Sequence, residues 1–232
     1  MKHAGLCARL DAAADRFTSR VLGEMYRDPF WQARFGERAE RHGRKDGRYH
    51  IDYLIQALQA DDSVIMWNYA RWLQQVLTSR GMATHHLDEN FELLAAAIRT
   101  EGWPDAAAAT AMLDTAREAL RYSDGPQRAL QEAADRLAAA AAEAMQSPHS
   151  VPDLRSHIDY IADAIALRQP ELFAKHATWL AGFVASRAEL VKSLVTLARV
   201  APAIVPAAAT ELCAVIEPSL AALDGIAYPQ GA

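Results

Sequence analysis

Apolar residues return every three or four positions along almost the whole chain, on a background of alanine, leucine, glutamate and arginine. That period is one face of an α-helix, and no two-residue alternation competes with it. The pattern predicts an all-α protein with helices over 5–27, 46–60, 63–80, 85–101 and 105–122, then over 126–147, 153–168, 170–187, 189–200 and 203–224. The stops have local causes. Asp28-Pro29 ends the first helix, because the residue before a proline avoids the helical region, and an irregular insertion follows from Asp28 to Gly43. Gly81 follows Arg80 as a left-handed cap would, Gly102 and Pro104 break the chain again, and Asp124-Gly125-Pro126 is the clearest joint. Pro170 opens its helix, where a missing N–H costs nothing, and the run Ala138–Ala142 reads as helix packed closely against its neighbours.

The pattern also contains itself twice. Residues 46–80 recur at 153–187 with a constant offset of 107 and no gap, and twelve of the 35 aligned positions are identical. Asp46, Arg48, His50, Ile51, Asp52 and Tyr53 match Asp153, Arg155, His157, Ile158, Asp159 and Tyr160; later Ala70, Trp72, Leu73, Ser79 and Arg80 match Ala177, Trp179, Leu180, Ser186 and Arg187. The expected organisation is two helical repeats, 1–124 and 125–232, with 46–80 and 153–187 folding as matching helix-turn-helix units.

A chain of 232 residues, 51% hydrophobic and 23% charged, is long enough for one large core or two small ones. Its net charge of −5 argues against a general nucleic-acid binder, whose footprint is basic. Locally, Arg34, Arg38, Arg41, Arg44, Lys45 and Arg48 outnumber Glu37, Glu40 and Asp46, which either favours anions there or marks a solvated helix surface. Cys7 and Cys213 lie near opposite ends with no ligand spacing, as expected of a reduced, cytoplasmic compartment. The N-terminal segment carries Arg9, Asp11, Asp15 and Arg16 where an export signal needs an apolar core. The most apolar stretch, Val200 to Thr210, contains Pro202 and Pro206 and is shorter than the roughly 20 residues of a spanning helix, so no membrane is expected.

On a helix Asp46, His50, Tyr53 and Ala57 form one stripe, and Asp153, His157, Tyr160 and Ala164 form its copy. Arg48 with Asp52, and Arg155 with Asp159, are i, i+4 pairs on another face, assigned to surface support. Three readings fit the stripe: a satisfied polar seam with the carboxylate fixing the imidazole tautomer, a metal site of two Asp–His pairs, or a cavity for a planar organic ligand. No Glu-x-x-His occurs, which disfavours a ferritin-like di-metal centre. Nor is there a Gly-x-Gly-x-x-Gly, a Walker loop, a His-Glu-x-x-His or a Gly-x-Ser-x-Gly, so catalysis is not expected. His85-His86 at a helix start could ligate haem but reads as exposed, and Met66, Trp67, Tyr69 and Trp72 read as core.

The segment Gly43, Arg44, Lys45-Asp46, then Tyr53 and Ala57, with Ala60-Asp61-Asp62 after it, resembles the chromophore-binding helix of phycobiliproteins and their bilin-associated globin relatives. The resemblance runs through residues 43–120 and, more weakly, through the second repeat. It implies two tandem globin-like repeats packed about a pseudo-twofold axis as a helical bundle. It also implies a linear tetrapyrrole such as biliverdin, or a similar planar anionic ligand, held for sensing, storage or delivery. Gly43 stands where the family has its attachment cysteine, so binding would be noncovalent. Asp46 would meet the pyrrole nitrogens, and Arg41, Arg44, Lys45 and Arg48 the propionates, with Tyr49, His50, Tyr53 and Trp72 around the rings. In the second repeat Asp153, His157 and Tyr160 hold the matching places, but Ser150 and Val151-Pro152 replace the cysteine and the basic pair. The alternative is a ligand-free helical interaction or scaffold protein, and the third choice a haem- or metal-binding one; a homodimer is compatible with each.

Overall fold

In a computed structural model, which describes residues 2–183 and 186–225, the helical period is met by eleven α-helices, with no strand among the described residues. They are α1 (Ala4–Met25), α2 (Pro29–Phe35), α3 (Glu37–Ala60), α4 (Val64–Thr78), α5 (Thr84–Thr100) and α6 (Ala106–Ala119), then α7 (Gly125–Met145), α8 (Val151–Leu167), α9 (Pro170–Phe183), α10 (Arg187–Ile204) and α11 (Ala209–Asp224). Short 3-10 turns at Pro148–Ser150 and Pro206–Ala208 precede α8 and α11.

Three expected boundaries are corrected. The stretch from Asp28 to Gly43 is not irregular: Asp28 is extended and its carboxylate accepts from the Phe30 N–H at 2.8 Å, Pro29 takes the first position, and α2 forms. Gly36, at φ 56°, ends α2 and starts α3, whose first turn carries Glu37 and Glu40 where the helix dipole favours them. Arg187 opens α10 instead of closing the helix before it, because the Ser186 hydroxyl caps the Glu189 N–H at 3.3 Å. Finally, α10 continues through Pro202 to Ile204, and the Val205 N–H closes it on the Ala201 carbonyl at 2.8 Å.

The two copies of the helix-turn-helix end their first helices in the same way. Asp61 lies at φ 53° and Arg168 at φ 54°, both left-handed, although neither is glycine. In each the next N–H reaches back to the alanine carbonyl of the repeated stripe: Asp62 to Ala57 at 3.0 Å, Gln169 to Ala164 at 2.9 Å. This is the Schellman closure, with aspartate and arginine tolerating the conformation that glycine usually supplies. Gly81, at φ 85°, makes the corresponding closure after α4 through Met82 to Leu77.

Contacts divide the chain into two compact units, Met1–Val76 with His86–Leu120, and Leu77–His85 with Arg121–Ala232. In the first, α3 packs on α1, α2 and α6. Leu6, Leu10, Phe17, Ile51, Leu54, Leu58, Phe91 and Leu113 fill its core. The crossing of α1 and α3 depends on two glycines. A Cβ on Gly43 would lie 2.3 Å from the Tyr26 hydroxyl and 2.9 Å from Leu22, and one on Gly47 would lie 2.6 Å from Thr18. Gly43 therefore faces α1, which leaves no room for a side chain there.

In the second unit α7 packs on α8 and α10, and α9 on α11. Of the run Ala138–Ala142 in α7, Ala138, Ala141 and Ala142 are buried there together with Ala133 and Ala134, whereas Ala139 is exposed and Ala140 half-buried. Small side chains let the helix axes approach closely. Residues 206–224 are long and apolar enough to cross a membrane by length and composition. Here Leu212, Val215, Ile216 and Leu223 of that segment belong to the unit's core.

Candidate functional site

The stripe on α3 resolves into an aromatic knot. His50 points inward and is buried, and α4 brings Tyr69 onto it, imidazole Nδ1 to phenol oxygen 2.8 Å. The imidazole's partner is thus Tyr69 and not Asp46, a correction to the expected carboxylate contact. Burial lowers the His50 pKa to about 4, so the ring is neutral. Phe91 meets the same ring edge-on at 5.2 Å. Tyr53 stacks on Tyr69 with centroids 3.9 Å apart and planes 16° from parallel, and Trp72 tilts against Tyr69 at 6.2 Å. Asp46 is half-buried nearby. Burial first and the Asp46 charge second raise the Tyr26 phenol to about 12 and push Tyr69 higher still.

This knot opens to solvent at its rim. Tyr49, one turn before Tyr53, is 44% exposed, and Trp72 is 56% exposed. Lys45 holds its ammonium 5.7 Å from the centre of the Tyr49 ring. Met66 and Tyr69 are core, as expected, but Trp67 and Trp72 are not. The α4 helix has too wide an apolar arc for one buried face, and its surplus reaches the surface.

The arginines of the proposed site do not converge on Asp46. Arg44 bonds Glu40 at 2.8 Å and Ser19 at 3.2 Å, toward α1. Arg48 bridges Asp52 at 2.9 Å and Asp11 at 2.5 Å, the former being the expected i, i+4 pair. Arg41 lines a concavity of about 550 Å³ with Phe35, Glu37 and Arg38. A second groove of similar volume, between α1 and α3, is lined by Cys7, Asp11, Asp52, Ile55 and Gln56. So Asp46, His50, Tyr53 and Trp72 gather at the knot with Lys45 and Tyr49 at its exposed rim, Arg41 lies one turn before Lys45 on α3, and Arg44 and Arg48 turn toward α1 and their carboxylates.

The second repeat keeps the stacking and changes the chemistry. Tyr160 stacks on His176 at 3.7 Å and 15°, and His176 lies 6.0 Å from Trp179, matching Tyr53, Tyr69 and Trp72. His157 is buried like His50, and burial again lowers its pKa to about 4. Tyr69 has become His176, however, and His157 Nδ1 has no hydrogen-bond partner. Asp153, the third expected residue, is exposed at the surface, and the Tyr160 hydroxyl donates to the Gly81 carbonyl at 3.3 Å.

A buried polar cluster in the same unit escaped the sequence reading. Asp163 of α8 accepts the Thr84 N–H at 2.7 Å, the Thr84 hydroxyl at 2.6 Å and the Tyr122 hydroxyl at 2.5 Å. Burial pushes its carboxyl up to about 7 against those bonds. One turn earlier, Asp159 is buried between Arg155 and His85, whose Nδ1 lies 3.3 Å away. The Arg155–Asp159 pair thus spans from a half-buried guanidinium, which also reaches the exposed Asp135, to a buried carboxylate, so it is surface support on one side only. His86 is also corrected: it is buried, with Phe30 and Trp31 of α2 each 5.0 Å from its ring. The signal that could have found Asp163 is an aspartate amid apolar neighbours, Ile161, Ala162, Ala164 and Ile165, where a carboxylate needs buried donors.

Among the described residues no group of three or more His, Cys, Asp or Glu side chains is placed to hold a metal ion. Comparison with protein-family models, with curated proteins and with solved structures finds no match for this chain.

Proposed function

We propose that this chain is a noncatalytic helical interaction protein, a tandem of globin-like repeats of the phycobiliprotein kind, whose first repeat contacts a partner protein through the α3–α4 aromatic face. The observation that carries this reading is Trp72, 56% exposed beside the Tyr53–Tyr69 stack, with Tyr49 at the other rim. Aromatic side chains of that size, rigid and half-desolvated, are what interface anchors are made of. The duplication is supported by the matched caps and stacks, and the globin-like kinship by the resemblance of residues 43–120.

Binding of a planar anionic ligand such as a linear tetrapyrrole is the second reading. The open Tyr53–Tyr69 stack with Lys45 near its rim favours it, since a flat ring system could extend the stack. Against a closed pocket stand Gly43, whose face α1 fills, and Arg44 and Arg48, both paired with carboxylates.

Peptide display on the purified protein, repeated with Tyr49→Ala/Trp72→Ala, separates the two when combined with co-expression of a biliverdin-producing enzyme. Selected peptides should lose roughly tenfold or more in affinity for the variant, and no visible absorption should co-purify. A bilin retained by the wild type and lost by the variant would establish the second reading instead. Selected peptides indifferent to both substitutions would remove the proposed face.

A further inference from the structure

We infer that the contact surface continues along α3 as a basic strip that takes an acidic protein segment. The inference rests on the interaction reading above and names its partner's chemistry. Arg38, Arg41 and Lys45 stand at i, i+3 and i+7, and Tyr49 follows at i+11, so the four lie on one exposed arc of the helix. Among the described residues these three cations form no ion pair, whereas Arg44 and Arg48 on the adjoining arc are neutralised by Glu40, Asp11 and Asp52. One side of α3 is thus balanced and the other carries three cations with Glu37 alone beside them, in a chain of net charge −5.

The second repeat serves as an internal control. At the same offset Lys45 and Tyr49 correspond to Pro152 and Ser156 of α8, whereas Arg38 and Arg41 lie on an N-terminal stretch of α3 that has no counterpart in α8, since α8 begins at Val151. That repeat builds the helix-turn-helix and its aromatic stack without a cation at the Lys45 position and without the α3 extension that carries Arg38 and Arg41. Their presence in the first repeat calls for a role outside the fold.

The shape of the strip selects the partner. From Arg38 to Tyr49 it runs ~16 Å, the length of about five extended residues or three turns of helix. Guanidinium groups pair with carboxylates in a fork, and the half-buried Phe35 beside Arg38 and Arg41, with Tyr49 at the far end, offers apolar contact. A segment with carboxylates first and an apolar residue after them satisfies both halves. Glu37 lies in the same concavity and sets a limit on how much negative charge fits at that end. A nucleic-acid strand fits less well, because three cations release few counterions and the rest of the chain repels it. A membrane would need a broader apolar surface than two rim aromatics provide.

Fluorescence anisotropy with a labelled Glu-rich peptide ending in two leucines tests this, alongside its Gln counterpart, an oligo-dT strand and phosphatidylserine vesicles. The Glu peptide should bind, the Gln peptide should not, and added salt should weaken the complex. Arg38→Glu/Arg41→Glu/Lys45→Glu should weaken it by roughly tenfold or more while the circular dichroism is unchanged. Should the triple variant lose helix, Arg41→Ala/Lys45→Ala with the salt titration decides in its place. Equal binding of the Gln peptide, indifference to the charge reversals, or tighter binding of oligo-dT or vesicles would overturn the inference. If display-selected peptides still depend on Trp72 in that event, only the acidic-partner inference falls and the interaction reading stands.

Discussion

Asp163 gives the fold a pH dependence opposite in sign to that of its buried histidines. Its carboxylate is enclosed at the junction of α8, the start of α5 and the connection before α7, with Thr84 and Tyr122 as donors. Burial outweighs those donors, Asp159 adds to it, and the pKa rises from 3.8 to about 7. The native state then keeps a proton that the unfolded chain releases, so stability falls as pH rises from about 4 to about 7 and is level above. The full shift of about three units corresponds to about 4 kcal/mol, of which about 3 kcal/mol falls between pH 5 and pH 8. Asp163→Asn does not titrate. Urea unfolding at both pH values, wild type against variant, should show the variant gaining about 3 kcal/mol on the wild type as pH rises, whatever its absolute loss from the altered Thr84 contact. Parallel profiles, or a difference of the other sign, would mean that the three donors keep Asp163 ionised and would refute the reasoning.

His50 and His157, each lowered from 6.5 to about 4 by burial, should cost the protein stability as pH falls from 6.5 to 4, by about 3 kcal/mol each, read as a falling urea midpoint. Tyr69→Phe should destabilise by ~1–3 kcal/mol, because it leaves His50 Nδ1 buried without its partner. Gly43→Ala and Gly23→Ala should act in opposite directions. The former forces a Cβ against Tyr26 and Leu22, at a cost of ~1–3 kcal/mol that exceeds or cancels the helix gain, and the latter has open space and gains up to ~1 kcal/mol. Thermal melts of the two variants check both signs.

Local periodicity made the helices legible, because a 3.6-residue apolar repeat needs only one neighbour to bury it. Even Asp61 and Arg168, which carry no glycine signal, lie where the repeat offset places the same cap. The insertion from Asp28 to Gly43 was illegible for a physical reason: its polar residues lack an apolar stripe, and α2 forms through the Asp28 cap, Pro29 and the packing of Phe30 and Trp31 around His86. The His50–Tyr69 bond was hidden for another. A stripe read along one helix suggests partners on that helix, such as Asp46, whereas the hydrogen bond comes across from α4. Asp163 was missed likewise, since its donors are 41 and 79 residues distant in sequence.

The repeats show which features the shared frame requires. Both retain a buried histidine and a stacked pair of rings, and both close their first helix with a left-handed non-glycine residue, while the tryptophan beside the stack is exposed at Trp72 and only half-buried at Trp179. Those features are therefore structural in origin, and a functional argument built on the Asp–His–Tyr stripe alone would assign chemistry to packing. What differs is informative. The first copy adds Arg38, Arg41, Lys45 and Tyr49 on the outside of α3, and the second adds the Asp163 and Asp159 contacts within its core. Substitutions on the outer face of the first helix pair leave the frame intact and change what it can meet, whereas those inside the second are satisfied by donors from elsewhere in the same unit and change only how it holds together. Function in this chain is accordingly sought on the first repeat's exposed face, where residues serve no packing need.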